Sequence, residues 1–284
     1  MLACLLGNMV KKYSGDKFVN KKAMFYFYNA VISAVSALCL LIVNRSFELS
    51  AFSLLLGIVF GVVTAIQNAF CLKSYEIGPF SYTSVIVSLS TIIPALSGYF
   101  LWKEEISFVQ IIGIILMAIC FVFSVDFTEK HNKTSVLWLA YAFITFITTG
   151  LIGVMQKWHQ SSDYKGDLDE FLIIAFVVAF VYSMSMFFIR FKDSDKSGRM
   201  AVKRDITVLA LFLMVIGGVC TATNNKMNLY LSGVMNTAVF FPVVNGGGLV
   251  LSTLASLIAF REKFNLQKWI GIIIGIVSVI LLCS

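Results

Sequence analysis

Charge is scarce in this sequence. Of its 284 residues only 13% are Asp, Glu, Lys or Arg, about half the share of a soluble domain. A chain this short of solvated groups cannot cover an ordinary water-soluble fold. Histidine occurs twice, as His131 and His159, both in stretches that read as loops and so as solvated side chains. The six cysteines (Cys4, Cys39, Cys71, Cys120, Cys220 and Cys283) lie in or beside apolar runs and form no C-x-x-C pair. Neither a zinc site nor a disulfide framework is therefore expected. A phosphate-binding glycine loop, a metal-ligand cluster and a nucleophile with a partner base are all missing. ATP-driven pumping, enzyme activity and a bound cofactor or metal are not expected. No carboxylate falls in the middle of an apolar run, so no proton carrier stands out.

What the chain has is apolar length. It is 59% hydrophobic with a mean hydropathy of +0.89, and its charges cluster between runs of roughly twenty residues, long enough to cross a hydrocarbon core of about 30 Å. In lipid only helices or closed barrels satisfy the backbone, and these runs lack the alternation of barrel strands. The expected fold is all-α, a polytopic membrane protein of about ten transmembrane helices. Residues 1–10 form a stub of half the needed length, expected to be the end of a first span that continues upstream. Spans 2 to 10 follow at Ala23–Val43, Ala51–Leu72, Pro79–Trp102, Phe108–Val125, Val136–Gln156, Phe171–Ile189, Ile206–Met227, Val234–Phe260 and Leu266–Cys283.

Charge also orients the chain. Of the 22 lysines and arginines, 17 fall in the odd-numbered loops. The positive-inside rule places those loops in the cytoplasm and both termini outside. The net charge of +7 is thus topological, and no nucleic-acid partner is needed.

One stretch occurs twice. Tyr75 and Gly78 align with Tyr230 and Gly233 at a shift of 155 residues, and Lys103, Ile112 and Gly113 align with Arg261, Ile270 and Gly271 at a shift of 158. Each copy runs from a tyrosine and glycine through a long apolar run and a charged turn into a second apolar run. We read a duplication, with residues 1–126 and 134–284 as two five-helix repeats. An odd number of helices per repeat makes them inverted in the membrane.

Two such halves, with Tyr75-x-x-Gly78, Pro94 and Glu104 in the first and Pro242 and Glu262 in the second, resemble the drug/metabolite transporter superfamily, most nearly its EamA type. The resemblance covers essentially the whole chain and implies alternating-access movement of small metabolites. That family keeps both termini in the cytoplasm, opposite to the charge count here.

Polar groups inside spans usually face a bundle interior or cavity. Candidate substrate-binding residues are Gln67 and Asn68 in span 3, Ser84 and Ser88 in span 4, Tyr182 in span 7, Asn224 and Asn225 in span 8, and Asn245 in span 9. Pro242 and Gly246–Gly248 around Asn245 are expected to loosen span 9 and expose carbonyls, unless the glycines only permit close packing. Gly57-x-x-x-Gly61 and Gly271-x-x-x-Gly275 read as packing faces. The resulting expectation is a secondary transporter of a small organic solute in the cell membrane. Its partners are that solute and the lipid bilayer, with a homodimer left open. The competing readings are a non-transporting accessory or sensor protein and, more remotely, a membrane-embedded enzyme.

Overall fold

The computed structural model describes residues 22–44, 47–77, 80–123, 136–259 and 266–284. The stub 1–10, the joining segment 126–134 with His131, and the charged turn of the second copy lie outside the described residues. Among the described residues every regular element is a helix. They are α1 (Lys22–Val43), α2 (Ala51–Ile77), α3 (Phe80–Leu89), α4 (Ile92–Trp102), α5 (Phe108–Phe123), α6 (Val136–Gln160), α7 (Leu168–Asp193), α8 (Lys196–Asp205), α9 (Val208–Val234), α10 (Thr237–Ala259) and α11 (Leu266–Cys283). Six described stretches are long and apolar enough to cross a membrane: Ala23–Val43, Ala51–Ser74, Val85–Trp102, Val136–Gln160, Leu168–Asp193 and Val208–Val234.

The helix break falls in a different span from the one expected. Span 4 is divided into α3 and α4 at Ser90–Thr91. Pro94 has no N–H to give to the carbonyl four residues back, and its ring crowds that carbonyl. The residues there offer a local alternative. Ser90 Oγ donates to the Val87 carbonyl at 2.6 Å and Thr91 Oγ1 to that of Ser88 at 3.2 Å, while the Ser90 carbonyl is taken by Ile93 N–H at 3.0 Å. Hydroxyls that bond nearby carbonyls compete with the helical ladder in this way. In span 9, by contrast, α10 runs unbroken through Pro242 and Gly246–Gly248. Ala238, Val239 and Phe240, upstream of that proline, carry no hydroxyl to stabilise a break. A Cβ at Gly246 would collide with Met117, so this glycine gives room to a neighbour.

Other boundaries also differ from the sequence reading: span 3 runs on to Ile77, span 7 covers Leu168–Asp193, and span 8 runs on to Val234, so that span 9 opens at Thr237. The basic stretch after span 7 contains the short helix α8, started by Asp195, whose carboxylate accepts Gly198 N–H at 2.8 Å. Span 6 continues to Gln160, which puts Lys157 and His159 on a helix. Neither is a loop residue, and His159 is fully buried.

The described residues divide into two compact units, those within Ile66–Ser161 and Leu229–Ser284, and those from Lys22 to Ala65 with Ser162–Asn228. Each unit draws helices from both sequence repeats. Within the first unit the most extensive helix pair is α5 with α11, and α4 lies against α10. Gly113 leaves room for Leu282, and Ser278 Oγ donates to the Gly113 carbonyl at 2.7 Å. Met117, Cys120 and Phe121 pack there with Val239, Val250 and Ile272. Within the second unit α1 packs along α7, with Tyr26 edge-on to Tyr182 and Phe27 beside Phe187. Gly57 and Gly61 lie against Phe171, Ile174, Ala175 and Val178, so this G-x-x-x-G is a packing face. Ser36 Oγ adds an interhelical bond to the Gly218 carbonyl at 2.9 Å. Helices in lipid gain little from hydrophobicity against one another, so close backbone approach at small residues and bonds worth about 0.6 kcal/mol each supply the specificity.

Candidate functional site

The most tightly built polar cluster lies in the first unit, where α4 ends. Lys103 takes the left-handed conformation (φ 53°, ψ 35°), and Glu104 N–H returns to the Gly98 carbonyl at 3.1 Å. This turn aims the Glu104 carboxylate back over the last turn of α4. A Cβ at Gly98 would overlap that carboxylate, and it would also lie 2.8 Å from Thr237 Cβ, so only glycine fits.

Three donors converge on Glu104. Lys157 Nζ is 2.6 Å from Oε1, Thr237 Oγ1 donates to Oε1 at 2.9 Å, and Thr237 N–H donates to Oε2 at 2.7 Å. Thr237 opens α10, so the carboxylate sits at a helix N-terminus, where negative charge is favoured. The adjacent Asn236 accepts Ala238 N–H at 2.9 Å and donates its amide to the Glu105 carbonyl, also at 2.9 Å. The Lys157 and Glu104 side chains are only 8% and 14% exposed, and Thr237 is fully buried. In so dry a setting each donor matters, because an unpaired charge has little water to fall back on. Close by on α6, buried His159 and Gln160 meet at 3.1 Å between Nδ1 and Nε2, and Gly233 gives Gln160 its room. The cluster ties the α4 turn, the end of α6 and the start of α10 together. With three donors on one carboxylate, the cluster acts as a fastening.

The second unit gathers its acidic groups at the start of α7, again at a helix N-terminus. Asp169 pairs with Lys226 at 2.7 Å, and its other oxygen, Oδ1, is buried with no hydrogen-bond partner among the described residues. Glu170 accepts the Asn44 amide at 2.6 Å. Asp167 accepts Ser50 N–H at 3.0 Å. Sequence reasoning missed both clusters because it treated Lys157, Asp167, Asp169 and Glu170 as loop charges. The signal was the closeness of these charges to span ends, where a side chain can turn inward.

The eight residues singled out from sequence are divided between the units. Gln67, Asn68, Ser88 and Asn245 belong to the first, and Tyr182, Asn224 and Asn225 to the second; Ser84 also belongs to the first, but its side chain lies outside the described residues. Among the described residues no hydrogen bond joins any two of them. Gln67, Asn68, Ser88, Tyr182, Asn224 and Asn225 are half-buried and Asn245 is exposed. Two of the amides return to their own helix, Asn225 to the Thr221 carbonyl at 2.9 Å and Asn245 to that of Phe241 at 3.0 Å. Each therefore keeps its side-chain carbonyl and one N–H for another partner. In the first unit a separate recess of about 280 Å³ is walled by Ile86, Leu89, Leu139, Phe143 and Phe146; among the described residues its walls are apolar.

No family model and no curated protein matches the chain. A solved chain described only as "Crystal structure of protein" is similar over 98% of this chain and 93% of its own length, with a TM-score of 0.70 and 11% identity. At that identity the likeness concerns fold alone. Together with the six long apolar helices, the architecture is settled at one level. The chain is a helical, multi-pass membrane protein. Among the described residues no group of three His, Cys, Asp or Glu is placed to hold a metal ion, and the polar positions found are those of hydrogen bonding and ion pairing.

Proposed function

We propose that this protein is a secondary transporter of a small organic solute, of the drug/metabolite transporter kind, built from ten helices in two inverted repeats and working by alternating access in the cell membrane. The observation that carries the reading is the pairing of counterparts. Span 5 packs on span 10 and span 4 on span 9 in one unit, and span 2 packs on span 7 in the other. An inverted duplication whose halves interlock about a pseudo-two-fold axis pairs equivalent helices in this way. The uncharged donors and acceptors of Gln67, Asn68 and Asn245 in one unit, and of Asn224 and Asn225 in the other, suit polar, hydrogen-bonding solutes, since polar groups within spans usually face a bundle interior or cavity. The break at Ser90–Thr91 adds a discontinuous helix, a recurrent feature of solute sites in transporters.

The test is flux. Purified protein is first screened by thermal shift against amino acids, amines and nucleosides, and solutes that stabilise it are then offered to reconstituted vesicles. Saturable uptake above protein-free vesicles is the expected result. A solute that binds tightly yet never crosses would replace the transporter with a sensor.

A further inference from the structure

The helix α8 and the turn before it hold a feature that solute transport does not use. The segment joins the end of α7 to the start of α9, both membrane-crossing by length and composition, so it must lie at the membrane surface. Its ten residues rise about 15 Å, too little to cross. The turn is firmly made. Arg199 Nε donates to the Ser194 carbonyl at 2.8 Å and its Nη2 to that of Lys192 at 3.3 Å, covering the carbonyl end of α7, while Asp195 starts α8. Among the described side chains of the helix, Val202 is the buried one, at 1% exposed. At about 100° per residue, the backbone positions of Lys196, Met200, Lys203 and Arg204 all lie roughly 100–160° round from Val202. Met200 is 66% exposed and the Arg204 side chain 83%.

We infer that the outward face of α8 is a docking surface for anionic phospholipid headgroups of the cytoplasmic leaflet. An exposed apolar tip set among cations is the pattern of a helix lying in the interface plane, its apolar residue reaching past the headgroups while the cations meet phosphate. The charge is complementary to that leaflet, and the loop belongs to the basic set that the positive-inside rule assigns to the cytoplasm. The acids nearby offset only part of it: between residues 190 and 205 the six basic residues Arg190, Lys192, Lys196, Arg199, Lys203 and Arg204 outnumber Asp193, Asp195 and Asp205, even though Asp205 lies beside Arg204 at 3.8 Å.

The experiment uses the full-length protein in nanodiscs of phosphatidylcholine alone or with three parts in ten phosphatidylglycerol, and counts the lipids retained after gentle release by native mass spectrometry. Wild type is expected to retain phosphatidylglycerol in preference to phosphatidylcholine. Each basic residue at such a surface favours the anionic lipid ~5-fold, so Lys196→Gln/Lys203→Gln/Arg204→Gln together should reduce the preference on the order of 100-fold. Far-UV circular dichroism and gel filtration show whether the variant remains folded. A second variant, Met200→Ser, should weaken retention of both lipids while leaving the preference in place. Added inorganic phosphate at matched concentration should displace nothing. Equal retention of the two lipids by wild type, an undiminished preference in the folded triple variant, or displacement by inorganic phosphate would each overturn the assignment.

Discussion

Replacing Glu104 with glutamine leaves Lys157 as a nearly unpaired ammonium. Its other neighbour, the Met235 carbonyl, is 3.5 Å away, at the limit of a useful hydrogen bond. Breaking a buried pair by removing one partner destabilises by about 3–5 kcal/mol, because the remaining charge is left without compensation. The reverse change, Lys157→Met, is gentler. Glu104 then still holds the N–H and hydroxyl of Thr237 and the favourable end of α10, so a loss of about 1–3 kcal/mol is expected. Removing both charges in Glu104→Gln/Lys157→Met restores most of the stability, since an apolar replacement of a buried pair is often near neutral. The assay is reversible unfolding in mixed micelles, followed by near-UV circular dichroism for all four proteins. The expected order is wild type, the double variant or Lys157→Met, then Glu104→Gln, with a coupling energy of at least about 2 kcal/mol. Strictly additive effects, or a Lys157 variant less stable than the Glu104 one, would refute the idea that Lys157 depends on Glu104 more than Glu104 depends on it.

Three further outcomes are expected. Asn245→Leu should lower solute affinity roughly fivefold or more while membrane abundance stays near wild type, because only hydrogen bonds are lost; normal flux in vesicles would show that its bond to Phe241 is its whole role. A cysteine at Ser197, exposed on α8, should resist an impermeant thiol reagent applied to intact cells, and labelling there would reverse the orientation read from charge. Gly113→Val places a Cβ 2.8 Å from Leu282 Cγ and 3.3 Å from the Leu282 backbone nitrogen. Backbone cannot move aside cheaply, so a loss of about 1–3 kcal/mol in micelle unfolding is expected, whereas Gly166→Ala, with open space around it, should be neutral.

The apolar runs were legible because bilayer thickness sets their length. Spans 2 and 10 nearly coincide with the helices, span 6 runs about one turn longer and span 7 about one turn longer at each end, span 8 runs on to Val234, and spans 5 and 9 are slightly shorter. Packing glycines were legible too, because Gly57-x-x-x-Gly61 repeats at the helical period. The break was not. Pro94 and Pro242 look alike along the chain, and the difference lies in Ser90 and Thr91, whose hydroxyls take the Val87 and Ser88 carbonyls at the break, while Ile93 N–H takes the Ser90 carbonyl that the proline leaves. The ionic clusters escaped for another reason. Glu104 and Lys157 are far apart in sequence, and each alone has the appearance of a loop charge. Only folding shows that a left-handed lysine turns one of them inward and that α6 carries the other to meet it.

The joint at Ser90–Thr91 has a mechanical consequence. The Val87 and Ser88 carbonyls each hold a hydroxyl as well as a long backbone donor, at 3.2 and 3.4 Å, so when the joint flexes the hydroxyls keep those carbonyls satisfied in a medium without water to replace them. Below the joint α4 is a lever of 11 residues, about 16 Å long at 1.5 Å per residue. A swing of about 10° moves its far end by about 3 Å, as much as the whole separation of a charge-assisted contact. Lys103 and Glu104 ride on that end. A small rotation at mid-membrane is thus geared into the making or parting of an ion pair at the rim, with α4 itself remaining rigid.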